Sequence, residues 1–222
     1  MSFLPDSVSL VYDQDTAISL SHNIFIDTAM EKLYSCGGGS SKKFGVFSLA
    51  NPLSPQLIYQ CETDLSWWAS TVGSSGYVHD AFARNDTVFC NAGNGLFVVD
   101  FGSTPTLLGS ISSYPDKGYN HSGWLSEDGN IYALGDETHG KKMKMLDVSD
   151  LSNITFFDTV GISDGKAILH NQIIMGDLVF VAYYYNGVYV YNIKNPANPR
   201  LTGVYDTSTE PNLSSFKGCW GI

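Results

Sequence analysis

A histidine opens a short apolar strand at four points of the chain: SHNIFID at His22, VHDAFA at His79, NHSGWLS at His121 and LHNQIIM at His170, at spacings of 57, 42 and 49 residues. Downstream of each lies a second apolar run closed by a related turn. GVFSLA precedes NPLSP at 51–55, MKMLDVS precedes DLSNI at 150–154 and VYVYNI precedes NPANP at 195–199, while GLFVVD at 95–100 is followed by a shorter turn ending at Pro105. A supersecondary unit that recurs in this way cannot bury its faces alone and must stack on its copies. Turn signals such as Gly176-Asp177 and Asn186-Gly187 cut the last unit into four strands, HNQIIM, LVFVAYY, GVYVYNI and RLTGVYD. Four antiparallel strands per unit predict an all-β fold, a β-propeller with blades over about 20–63, 77–112, 119–160 and 168–207. SVSLVYDQ, before residue 18, reads as the outermost strand of a preceding blade, and FKGCWGI at 216–222 as the start of a further one. Residues 1–222 are therefore expected to form one incomplete propeller domain, the alternative being a closed ring of four or five blades completed by strands from both ends.

Composition narrows the partners. With 43% hydrophobic and only 15% charged residues the chain is expected to pack rather than stay disordered. A net charge of −10 without a Lys/Arg cluster removes the footprint that nucleic acid or an anionic membrane surface requires. No apolar run is long enough to insert into a membrane, and MSFLPDSV lacks the basic head and apolar run of a signal peptide. Cys36, Cys61, Cys90 and Cys219 form no close metal-ligand spacing; an even number permits disulfides, Cys61–Cys90 being the first pair to test.

The runs SHNI, GYVHDA, NHSGWLSEDGNIYALGDE, DVSDLSNI, ILHNQIIMGD, YYNGVYVYNIKNPANP, GVYDT and FKGCWGI together resemble the LVIVD-repeat propellers, including those called choice-of-anchor B proteins. The resemblance covers about residue 20 to the end. It implies further blades on both sides and an extracellular or surface-associated setting, in which the protein is expected to serve as a binding or scaffold module for a protein or carbohydrate ligand. The chain departs from the pattern at Tyr183-Tyr184, and at Tyr189, where an Arg is common in relatives. A ligand contact by that Arg is not carried over.

The strand-opening histidines are the strongest candidate site, because innermost strands converge on a propeller axis and their first residues can line one mouth of the channel. His22, His79, His121 and His170 are candidate ligands for a transition metal, with Asp80, Asp136 and Glu137 as partners behind them or as ion-binding groups in their own right. Such a centre would make the protein a metal-dependent enzyme, the alternative to a binding role. In the competing structural reading, each histidine is a hydrogen-bonded member of a network that locks neighbouring strands. GDETHG at 135–140 offers adjacent carboxylates for calcium, although its spacing is not that of an EF-hand, and His139 falls outside the repeat register. GGGSS at 37–41 lacks the order of a phosphate-binding loop and reads as an inter-strand loop. Trp124 and Trp220 are expected between blades, and Trp67-Trp68 in the long connection between the first two blades as an exposed contact surface. No Ser-His-Asp order or nucleophile elbow supports covalent catalysis.

Overall fold

The computed structural model describes residues 10, 18, 20–38, 42–72, 76–211 and 213–222. Its strands form four antiparallel sheets of four, each in sequence order. Blade 1 contains β1 (Asn23–Asp27), β2 (Lys32–Cys36), β3 (Phe44–Ser48) and β4 (Gln56–Gln60). Blade 2 contains β5 (Asp80–Arg84), β6 (Thr87–Ala92), β7 (Gly95–Asp100) and β8 (Thr106–Ile111). Blade 3 contains β9 (Asn120–Leu125), β10 (Ile131–Asp136), β11 (Met143–Asp147) and β12 (Thr155–Val160). Blade 4 contains β13 (Gln172–Met175), β14 (Leu178–Ala182), β15 (Val188–Asn192) and β16 (Arg200–Tyr205). The inner strands β1, β5, β9 and β13 touch in succession around one axis, so the all-β propeller expectation is borne out.

Strand alternation builds the seams between blades. Successive side chains of a strand point to opposite faces, and β5 divides accordingly. Ala81 and Ala83 pack toward blade 1, with Tyr34, Phe44 and Val46, while Phe82 packs toward blade 3, with Leu125, Tyr132 and Leu146. The third seam joins Met143 and Met145 of β11 to Val179 and Val181 of β14. Polar latches cross the same seams. Lys32 of blade 1 donates to Asp86 at 2.6 Å and to the Phe101 carbonyl at 2.7 Å, and Arg84 reaches the Ser126 carbonyl at 2.9 Å. Asp86 can be there because Asn85 and Asp86, with φ of 52° and 65°, make the left-handed pair of a tight hairpin.

One irregularity recurs in every blade. Where the third strand meets the fourth, the register slips by one residue, leaving Ile58, Leu108, Phe157 and Thr202 without an opposite partner. Each is a β-bulge, which bends its strand and increases the local twist.

The connection between blades 1 and 2 folds into two short helices, α1 (Cys61–Asp64) and α2 (Trp68–Thr71). This corrects the surface reading of the tryptophan pair. Trp68 is fully buried, stacked on Phe44 at 5.3 Å, with its Nε1 donating to the Gly76 carbonyl at 2.9 Å, and Trp67 is half-buried against the same cluster. A large ring beside a loop satisfies its area by turning into the nearest seam. Trp124 lies between Phe25 and Phe82 as an inter-blade residue should, whereas Trp220 is exposed. Cys36, Cys61, Cys90 and Cys219 are all free thiols, the first three buried in the seam between blades 1 and 2. Residues 216–222 form no regular strand and touch the sheet through one bridge, Cys219 to Tyr184. The strand expected in SVSLVYDQ and the last three residues of GGGSS, 39–41, lie outside the described residues, Leu10 excepted.

Candidate metal centre

The strand-opening histidines of four successive blades meet at the axis. Ring centroids are 4.0 Å apart for His22 and His79, 4.3 Å for His79 and His121, and 4.5 Å for His121 and His170. In three blades the same backbone bond sets the position. The amides of His22, His79 and His170 donate to the carbonyls of Cys36, Asn91 and Ala182, at 2.8, 2.8 and 2.9 Å, where the second strand ends. Blade 3 reaches the cluster differently. Ser122 pairs with Gly135 and Asn120 with Asp136, so His121 is the extra residue of a bulge, a device that re-aims a side chain.

Burial determines the charge of these rings. His121 is only 3% exposed, and desolvation, aided by the neighbouring imidazoles and opposed by the His170 backbone, brings its pKa down to about 2. Desolvation also lowers His79 to about 4, with His22 and His170 adding to the effect. His170 falls to about 4, again through burial, against the pull of its bond to Trp220. All three are neutral imidazoles at pH 7, the state that binds metal.

At His170 a hydrogen bond fixes which nitrogen is bare. A carbonyl can only accept, so the contact between His170 Nδ1 and the Trp220 oxygen requires Nδ1–H and leaves Nε2 with its lone pair. His79 Nδ1 is 3.0 Å from the Tyr119 hydroxyl, and its Nε2 is sealed from solvent with no hydrogen-bond partner among the described residues. His121 Nε2 lies 3.7 Å from Glu137 Oε2, and its buried Nδ1 likewise has no hydrogen-bond partner among them. A ring held through one nitrogen while the other is bare, as at His170, is the usual posture of a ligating histidine. Two sets of ligand atoms lie within 4.8 Å of one another, His22–His79–His121 and His121–Glu137–His170, with His121 common to both.

Glu137 therefore joins the cluster itself. Its Oε1 accepts the Tyr184 hydroxyl, and burial raises its pKa. Tyr184 has a φ of 35°, a left-handed conformation that a bulky residue rarely adopts and that surrounding structure must hold. The phenol was not legible as a site residue; the only signal was the departure at Tyr183-Tyr184. Tyr119, beside the β9 histidine, carried no signal.

Asp80 and Asp136 do not stand behind the histidines. Asp80 Oδ1 accepts from Asn23 Nδ2 at 2.5 Å and from the Ala81 amide at 2.8 Å, and its pKa rises to about 6, chiefly through burial. Asp136 is fully buried and bonded to the equally buried Lys144 at 2.8 Å, to the Tyr114 hydroxyl at 3.0 Å and to the Gly118 amide at 2.6 Å. That corrects the paired-carboxylate reading of GDETHG. Asp136, the last residue of β10, neutralises a lysine, while Glu137, just past the strand end, turns to the histidines. His139 lies in a turn, its Nε2 2.9 Å from the Ser214 carbonyl.

Two recesses adjoin the histidines. One, of about 320 Å³, is walled by Glu137, Tyr184, Phe216 and Trp220. The other, of about 300 Å³, is lined by Asn23, Asp80 and Asn171, with Trp220 and Gly221 at its edge.

With blade 4 laid out in this way, its sequence can be compared with known repeats. Residues 171–207 match the LVIVD repeat. The LVIVD repeat thus coincides with blade 4, beginning one residue after His170 and ending just past β16. Together with the architecture it places the chain among propeller-repeat proteins. No curated protein matches the chain in sequence. Among solved structures, the chain is similar to the periplasmic gluconolactonase PpgL of Pseudomonas aeruginosa, with a TM-score of 0.60 and 13% identity over 84% of this chain and 57% of that one. It is also similar to the β-propeller domain of Cps50 (Swd1) from Myceliophteria thermophila, with a TM-score of 0.58 and 9% identity over 81% and 58% of the two chains. For Sqt1 of Saccharomyces cerevisiae the values are 0.55 and 15%, over 78% and 43%. The chain thus spans 43–58% of the length of these structures. At such identities the likeness is one of fold.

Proposed function

We propose that this propeller is a binding module that holds a transition-metal ion at one mouth of its axis, through His22, His79, His121 and His170 with Glu137 at hand. The observation that carries the reading is the pair of buried ring nitrogens, His79 Nε2 and His121 Nδ1, that lack hydrogen-bond partners among the described residues. A histidine that serves only to lock strands should have both nitrogens satisfied, since an orphaned buried polar atom costs about 1–3 kcal/mol. A metal ion would satisfy both. Imidazole-rich sets with a carboxylate suit zinc, iron, copper or nickel rather than calcium. A metal with a position left open would activate water or polarise a carbonyl, so metal-dependent chemistry follows as the second step of the same reading. The extracellular or surface setting rests on the family resemblance alone. The gluconolactonase supports the architecture, and no lactone substrate is transferred from it.

The test is metal content. Protein purified without chelator, and again after EDTA treatment and incubation with Zn²⁺, is expected to hold about one equivalent of metal, lost in both His79→Ala and His121→Ala while the β-sheet circular dichroism is kept. Wild-type protein that takes up no stoichiometric zinc, copper, nickel or iron would end the proposal.

A further inference from the structure

The recess lined by Asn23, Asp80 and Asn171 has features that a metal at the histidines would not use. Its polar level consists of Asn23, Asp80 and Asn171, each the residue after a strand-opening histidine. Asn23 spends its Nδ2 on Asp80 Oδ1, which also accepts the Ala81 amide, so both bonds to Asp80 fall on one oxygen. Asn171 Oδ1 is buried without a hydrogen-bond partner among the described residues. The level therefore holds one buried acceptor that no donor among the described residues meets, Asn171 Oδ1, beside a carboxylate whose second oxygen takes part in neither bond.

Below it the space continues for about 190 Å³ between Phe25, Trp124 and Ile173, and shares Asn23, Asp80, Asn171 and Gly221 with the level above. These three apolar side chains are half-buried although they stand on innermost strands. A polar rim of acceptors over an apolar floor is the usual make-up of a small-molecule site, where a few placed polar groups fix the orientation of an apolar body.

We infer that this recess binds a small molecule with a hydrogen-bond-donating head, an alcohol or amine, and an aromatic or aliphatic body. The head donates to Asp80 and Asn171 directly beneath the histidines, and the body lies along Trp124 and Phe25. The inference goes beyond the metal reading, because none of these contacts requires the ion. If the ion is present, it places the head of the ligand beside it.

The probes are benzyl alcohol and benzylamine, with benzyl methyl ether as the control that keeps the ring and loses the donor. The readout is the indole N–H resonance of Trp124 in wild-type protein, titrated once after EDTA treatment and once after zinc loading. The donor-bearing probes are expected to bind about tenfold more tightly than the ether, as one unmatched buried acceptor implies. Asn171→Leu should narrow the gap between alcohol and ether, leaving only what Asp80 contributes, and an undiminished gap would remove Asn171 from the site. Equal affinities in the wild type, or no shift of the Trp124 signal by any probe in either form, would overturn the inference. Should Asn171→Leu not fold, the comparison of alcohol with ether decides alone. Donor selectivity in protein that takes up no zinc would sink the metal reading and sustain this one. Zinc uptake without donor selectivity would do the reverse.

Discussion

His79 Nδ1 stands 3.0 Å from the hydroxyl of Tyr119, a contact that crosses from the first residue before β5 to the residue that leads into β9. A neighbouring blade thereby bears on the orientation of a proposed ligand ring. Groups that orient ligands in this way are worth about 10–100-fold in metal affinity. Tyr119→Phe is expected to weaken zinc binding by about tenfold in a competition titration, with little change in the melting temperature of the metal-free protein. An unchanged affinity would remove Tyr119 from the centre.

Acid should destabilise the metal-free fold. His79 and His170 are lowered to about 4 and His121 to about 2, whereas in the unfolded chain each returns to about 6.5. Between those values the unfolded state holds more protons, so stability present above about pH 6.5 is lost as pH falls through about 4. Asp80, raised to about 6, and Glu137, also raised, oppose this over part of the range, because they take up protons in the folded state first. Three imidazoles outweigh two carboxyls, and urea midpoints should fall from about pH 7 to pH 5. A rise on acidification would show that the rings are not held neutral.

The Asp136–Lys144 pair lies wholly out of water. Lys144→Met leaves the carboxylate buried without its countercharge and is expected to cost about 3–5 kcal/mol, whereas the double change with Asp136→Asn should cost less than the single one. Denaturant titration of the two variants checks this. Calcium should not raise the melting temperature, as this carboxylate is already engaged.

Trp68→Ala removes a fully buried ring from the seam between blades 1 and 2 and should cost about 3–5 kcal/mol, while Trp67→Ala, at a half-buried position, should cost clearly less. Equal effects, read by thermal unfolding, would contradict the placement of the pair.

The propeller was legible because its signals are local and repeated. Each histidine strand and each closing turn recurs in register, and strand alternation needs only neighbouring residues to be read. The convergence of the four histidines followed from the same repetition. The rest depends on partners distant in sequence. Asp136 and Glu137 are alike in sequence, and only the tertiary positions of Lys144 and Tyr184 separate a structural carboxylate from one in the site. Trp68 read as exposed because its connection has no strand pattern, while the stack on Phe44 that buries it spans 24 residues. The bulge at His121 left no mark in the sequence, since slipping one residue changes pairing and not composition.

The outermost strands carry a consequence of their own. A rim strand offers its unpaired amides and carbonyls to any extended peptide that can lie flat against it, and four such rims would make a protein prone to ladder with its own copies. In every blade Ile58, Leu108, Phe157 or Thr202 interrupts that line. A kinked rim cannot keep a second chain in step for more than a few residues, so the irregularity that curves each blade also protects the molecule from edge-to-edge aggregation.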